Sequence, residues 1–145
     1  MTVFVDTSVL ILSEDGAHAE QREQVLEWLR PLWQRRLGRV STQVLNDFYK
    51  TVTKRIEPAM PNGDARAEVR RYQRWNPWAI DHATVESAWS IESRFGLAYA
   101  DALIVAAAKA QGCTVLLSLE LPHELVLDSV KVLNPLMAGV DMLEK

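Results

Sequence analysis

The sequence predicts an α/β fold, a central and mainly parallel sheet flanked by helices, and three observations carry that prediction. Short apolar, β-branched runs at residues 3–5, 114–117 and 130–133 alternate with longer segments whose apolar residues recur at helical spacing. Those short runs lack the polar alternation of a half-exposed strand, so both of their faces are buried, as in a parallel sheet covered by helices. A length of 145 residues suits one domain with a real core. That domain is expected to span 1–145, with 136–145 as a short tail that includes at most a final helical turn.

Val3-Phe4-Val5 reads as a short buried strand, and residues 8–13 as a brief helix stopped by Glu14-Asp15-Gly16. From 21 to 37, Val25, Trp28, Leu29, Leu32 and Trp33 form the stripe of an amphipathic helix, which Pro31 is expected to kink or split. Gly38 breaks that pattern, and Ser41 or Thr42 caps a helix running to about Arg55 with Val44, Leu45, Phe48 and Val52 on one face. The prolines and glycine of 57–63 make a loop, and an arginine-rich helix follows over about 64–73. Residues 77–80 are expected to form a short strand, with Asp81 capping a helix that ends near Gly96. The alanine- and aliphatic-rich segment 99–111 is a buried helix closed by Gly112.

Composition narrows the function classes. Hydrophobic residues make up 48% and charged residues 24%, the profile of an ordinary soluble globular chain. No apolar run approaches the ~20 residues that span a membrane, and the start Met1-Thr2-Val3-Phe4-Val5-Asp6 lacks a secretory pattern, so cytoplasmic residence is the default expectation. The single cysteine, Cys113, excludes an internal disulfide and a cysteine-based zinc site. Net charge is −3, yet arginine and lysine cluster in three groups: Arg35, Arg36 and Arg39; Lys50, Lys54 and Arg55; Arg66, Arg70, Arg71 and Arg74. Each group is either a solvated helix face or a local phosphate-binding patch. The five tryptophans are core or interface residues, with RNA stacking the lesser option.

Four carboxylates fall where strand-like runs meet helix-like ones: Asp6, Asp47, Asp101 and Glu120. In an open α/β sheet the carboxyl ends of strands and the amino ends of helices share one edge, where ligands bind. Taken singly, each acid has an ordinary alternative. Asp6 is also a cap or Asx-turn residue, Asp101 a helix-dipole partner, Asp47 a solvated helix acid and Glu120 a loop acid. Together they repel one another, since two unit charges ~6 Å apart cost about 3 kcal/mol at an effective dielectric of 20. A hard divalent cation relieves that repulsion, and oxygen-only ligation suits magnesium, with manganese as a substitute. Metal-assisted phosphodiester cleavage is therefore the leading chemistry. No glycine-rich phosphate loop, histidine metal spacing or Ser/His/Asp triad is present. A haloacid-dehalogenase-like phosphatase needs a second aspartate where this chain has Ser8.

The same residues resemble a known family. Val5-Asp6-Thr7-Ser8-Val9-Leu10 looks like the opening motif of PIN-domain nucleases. The segments 43–49, 99–108 and 115–118 are similar to the later motifs, and Val132-Leu133-Asn134-Pro135 to the last strand. The resemblance runs in unbroken order from Val3 to Pro135 and is strongest to the VapC-type toxins of bacterial and archaeal toxin–antitoxin pairs. Two departures stand out. Asp47 occupies a position where the family usually has Glu, and Glu120 one where it has Asp, with Leu119 in place of a neighbouring acid.

The resemblance implies a PIN-like three-layer sandwich and a magnesium-dependent endoribonuclease. Asp6 and Asp101 are its implied principal ligands, Asp47 and Glu120 its auxiliary ones. Thr7 or Ser8 is implied to contact a ligand carboxylate or the substrate phosphate. RNA as substrate, a cognate antitoxin protein and a homodimer follow from the same likeness. The stripe Trp28-Leu29-Leu32-Trp33 is expected to supply apolar surface for the second copy and for the antitoxin. The competing class is a PIN-fold module whose altered acids no longer support turnover but still bind RNA or a protein.

Overall fold

The computed structural model describes residues 1–144. Five strands, β1 (Val3–Val5), β2 (Gly38–Arg39), β3 (Val115–Leu117), β4 (Val126–Leu127) and β5 (Val130–Leu133), form one sheet in the order β2-β1-β3-β5-β4. All neighbours are parallel except the β4–β5 pair at one edge. Six helices flank the sheet: α1 (Thr7–Leu12), α2 (Ala19–Gln34), α3 (Thr42–Lys54), α4 (Asn62–Arg71), α5 (His82–Phe95) and α6 (Tyr99–Ala110). The chain is thus an α/β sandwich built on a mainly parallel sheet, as the pattern of short apolar strands predicts.

Strand burial follows from this layering. Val3, Phe4 and Val5 are fully buried, as are Leu116 and Leu117. β1 and β3 lie side by side in register Val3↔Val115, Phe4↔Leu116 and Val5↔Leu117. From β1 the chain moves to β2 on one side and later returns to β3 on the other, so β1 and β3 flank the topological switch point. In open α/β sheets that is where the ligand crevice opens.

Three expectations need correction. Pro31 does not split its helix: α2 is continuous from Ala19 to Gln34, and Arg35 N–H still donates to Pro31 O at 2.8 Å. Residues 77–80 form no strand. Only Trp78 makes an isolated parallel bridge to Ser41, because Pro77 has no N–H to offer a ladder and the run is too short to build one without it. The stripe on α2 is not offered to a partner either. Trp28, Leu29 and Leu32 are at most 3% exposed within the core, and Trp28 Nε1 donates to Ala138 O at 2.9 Å. Trp33 is half-buried against Tyr72 and Trp75, with ring centroids 5.1 and 4.7 Å away. The C-terminal segment covers what the stripe would otherwise expose: Leu136, Ala138, Val140, Met142 and Leu143 pack on the core, ending in a 3-10 turn at Val140–Glu144.

Caps set the other helices as the sequence suggests. Ser41 Oγ accepts from Val44 N–H ahead of α3. Asp81 accepts from both the N–H and the hydroxyl of Thr84 ahead of α5. Gly96 and Gly112 take the left-handed backbone after α5 and α6, at φ 66° and 70°. Among the described residues no helix is long and apolar enough to cross a membrane.

Candidate active site

Register places the first carboxylate. Asp6 directly follows β1 and Ser118 directly follows β3, so the β1–β3 pairing brings the two side by side. Asp6 N–H donates to Leu117 O at 3.0 Å, continuing the ladder, and Ser118 Oγ donates to Asp6 Oδ2 at 2.8 Å. Asp6 Oδ1 accepts from Thr7 N–H at 2.7 Å and caps α1. The capping alternative and the site assignment are therefore compatible, since one oxygen serves the helix while the other faces β3. Ser118 Oγ in turn accepts from Glu120 N–H and Leu121 N–H, both at 3.1 Å, which fixes the turn carrying Glu120.

The other acids arrive from helix amino ends. Asp47 lies on the second turn of α3 and Asp101 on the first turn of α6. A bond from Gln43 Nε2 to Ala100 O at 3.0 Å ties those two helix starts together. Asp6, Asp47, Asp101 and Glu120 then line one cleft of roughly 360 Å³, with Thr7, Ser8 and Gln43 beside them and Lys50 and Arg55 on its wall. All six residues singled out from sequence thus border a single cavity.

The electrostatics match an acidic cluster. Burial lifts the Asp6 pKa from 3.8 to about 6, reinforced by the charges of Glu120 and Asp101 and opposed by the Ser118 and Thr7 hydrogen bonds. Burial also raises the Asp101 carboxyl. Asp47 is partly compensated by Lys50, 3.9 Å away, in an ion pair that is about half exposed and so contributes little to stability.

Two side-chain oxygens of residues bordering the cleft lack a partner. Thr7 Oγ1 and Gln43 Oε1 are buried and unbonded, which a buried polar atom tolerates only at a cost unless a ligand or water completes it. Ser8 Oγ accepts from Leu119 N–H at 3.2 Å, so Ser8 ties the β1–α1 turn to the segment after β3. Of the two hydroxyls expected at the substrate, Thr7 carries the unpartnered one. Leu119, the apolar departure from the family pattern, does not line the cleft; its side chain packs against the core. The candidate ligands bordering the cleft are four carboxylates, an oxygen donor set whose chemistry fits a hard cation. Among the described residues, no three acids stand close enough to enclose an ion by themselves.

The residues that sequence reasoning passed over are Gln43 and Ser118. Gln43 stands four residues before Asp47 and hence on the same helical face. Ser118 stands in the first position after β3, as Asp6 does after β1. Lys50 and Arg55 stand out in the sequence only as members of a basic group.

Comparison with known proteins agrees with this geometry. No curated protein matches the chain. Among solved structures, Mycobacterium tuberculosis VapC20, described as a Sarcin-Ricin loop cleaving toxin, is similar in fold. It shows a TM-score of 0.58 and 20% identity over 79% of this chain and 87% of that one. The PIN domain family model matches residues 3–120, a span that holds β1, β3 and all four acids of the cleft, and the chain belongs to the PIN domain family.

Proposed function

We propose that this chain is a magnesium-dependent endoribonuclease and the toxin of a toxin–antitoxin pair. One observation carries the reading: four carboxylates from four distant segments line a single cleft together with Lys50 and Arg55. Asp6 and Asp101 would hold the cation, with Asp47 and Glu120 as auxiliary ligands. A bound cation would neutralise the cluster and supply the activated water that phosphodiester hydrolysis needs. Ser118 Oγ and Thr7 N–H hold the Asp6 carboxylate in one orientation, so its reach into the cleft is set before substrate arrives. Lys50 and Arg55 bind the phosphates that flank the scissile one, and Thr7 Oγ1 contacts a phosphate oxygen. RNA is favoured over DNA, and the toxin role over a stand-alone nuclease, by the motif resemblance, and the fold shared with a Sarcin-Ricin loop cleaving toxin supports this.

Partners follow the same reading. The antitoxin is a small protein that blocks the acidic cleft with a basic side chain. A homodimer is proposed from the resemblance, with its apolar surface drawn from Trp89, Phe95 and Tyr99, which are exposed on α5 and at the start of α6, since the α2 stripe is internal.

The decisive experiment is RNA cleavage by the wild-type chain in magnesium, in EDTA, and with Asp101→Asn. Cleavage only by wild type in magnesium is the expected result. Cleavage in EDTA sinks the metal reading, and RNA binding without cleavage under every condition favours the binding-module class. Co-expression with the neighbouring small gene tests the toxin role, because a free chain that captures no partner argues for a stand-alone nuclease.

A further inference from the structure

A second cavity, of about 720 Å³, opens beside β2, between the turn that leads from α2 into that strand and the 3-10 turn Tyr72–Trp75. Arg36 and Arg39 border it from one side and Arg74 from the other, so it joins two of the three basic groups seen in the sequence. No acid lines it. Among the described residues no carboxylate pairs with these three guanidinium groups, and Arg39 donates only to the carbonyls of Arg36 and Gly38. Three like charges gathered on a chain of net charge −3 are a local choice that an anion stabilises.

Arg36 makes the point sharply. Leu37 N–H donates to Leu32 O at 3.0 Å, which closes α2 with Arg36 in the left-handed conformation at φ 57°. Glycine is the unstrained residue at that place in a helix terminus. An arginine there bears a conformational cost, and it puts a guanidinium at the mouth of the cavity.

The remaining wall is aromatic. Trp33 and Trp75 pack at 4.7 Å and 42°. Trp75 can lie against the strand only because residue 38 is glycine: a Cβ there would stand 2.5 Å from its ring. Its indole N–H is buried and has no partner, and the Asn76 amide is exposed at the rim. Guanidinium groups pair with phosphate, while the half-buried indole of Trp33 on the wall and the Asn76 amide at the rim suit a nucleobase. An acidic peptide would use the arginines alone.

We propose that this cavity is a nucleotide-binding subsite that holds one phosphate and base of an RNA strand away from the acidic cleft. The inference rests on the ribonuclease reading for its choice of RNA. Arg36 precedes β2, at the amino-terminal edge of the sheet, whereas Asp6 follows β1 at the carboxyl edge. A strand occupying both sites runs past β2, the edge strand of the sheet.

The test uses the full chain, with adenosine 5′-monophosphate as probe, followed by tryptophan emission, and a fluorescent single-stranded RNA followed by anisotropy. Arg74→Ala and the pair Arg36→Gly with Arg74→Ala are compared with wild type. Both arginines lie at the surface and Arg36→Gly relieves backbone strain, so thermal melts should stay cooperative. The expected result is loss of the nucleotide response and a fall in RNA affinity of roughly tenfold in the pair. The slope of log affinity on log salt should shrink by about two, because each guanidinium removed leaves one phosphate without its counter-charge. Unchanged affinity and salt slope in both variants overturn the proposal. So does a polyglutamate peptide that displaces the nucleotide and binds more tightly than RNA, which would mark a protein-docking site. Because these readouts are binding, the two readings separate: a wild type that binds nucleotide here but cleaves no RNA keeps the subsite and loses the nuclease.

Discussion

Replacing Asp6 with asparagine is expected to stabilise the metal-free protein at neutral pH, and the size of the effect can be worked from its surroundings. The carboxyl is 3% exposed, and burial with the neighbouring acids lifts its pKa from 3.8 to about 6. At about 1.4 kcal/mol per tenfold in ionisation constant, ionising it costs roughly 3 kcal/mol more in the folded chain than in the unfolded one. Between about pH 4 and pH 6 the folded state holds a proton that the unfolded state has released. Stability therefore falls as pH rises through that window, and the loss is complete above it. Asparagine avoids the loss but gives up a hydrogen bond. The new carboxamide still accepts from Thr7 N–H, yet its NH₂ faces Ser118 Oγ, which already accepts from Glu120 and Leu121. The Ser118 hydroxyl loses its acceptor, at a cost of about 1–2 kcal/mol.

The balance is a gain of about 1–2 kcal/mol at pH 7, or roughly 3–8 °C in Tm for a chain of this size. Below about pH 4 the carboxyl is neutral in both states, so the variant becomes the less stable protein by about 1–2 kcal/mol. Thermal and urea unfolding in EDTA across that range should show the two stability curves crossing. Magnesium should then raise the Tm of the wild type by mass action and leave the variant unmoved. A stability difference that does not depend on pH would refute the electrostatic argument, and equal stabilisation of both proteins by magnesium would remove Asp6 from the ligand set.

Three other substitutions probe separate links. Asp101→Asn should abolish RNA cleavage with the fold intact, and calorimetry should show weakened magnesium or manganese binding; unchanged affinity contradicts the assignment. Asp47→Glu with Glu120→Asp should leave activity equal or higher, because it restores carboxylate lengths typical of the family; a collapse measured in the cleavage assay means that the site has adapted to its present geometry. Gly38→Ala should destabilise by about 1–3 kcal/mol, as overpacking does, since the added methyl meets the Trp75 ring at 2.5 Å; urea unfolding with an unchanged midpoint would show that the ring can retreat.

Much of the architecture was legible because it depends on local chemistry. Val3-Phe4-Val5 admits no exposed face, Ser41 and Asp81 are good caps, and Gly96 and Gly112 stop helices wherever they stand. Asp6 and Asp101 were readable for a related reason. A charge beside an otherwise apolar strand or helix must sit at that element's end, and in a parallel α/β sheet such ends share an edge. The elements that escaped were those whose existence depends on a neighbour. β2 is two residues long and is a strand only because β1 pairs with it, while residues 77–80 lack a partner ladder and reduce to a single bridge.

Tertiary structure alone decided where the amphipathic surfaces went. Periodicity identifies the apolar stripe on α2 but not what covers it. Trp28 is internal because the distant segment around Ala138 folds back over it, a hydrogen bond spanning 110 positions that no local pattern encodes. The same holds for charge. Sequence places Arg36 and Arg74 in two unrelated basic groups, and only the packing of Trp75 on Gly38 brings them to one cavity. The Asp6 pKa is likewise a property of the assembled site, set by burial and by Ser118 across the sheet. A residue's type and its local element follow from short-range sterics and hydrophobic spacing, which the chain carries in its order; its environment depends on segments brought together by folding, and that is where desolvation and charge act.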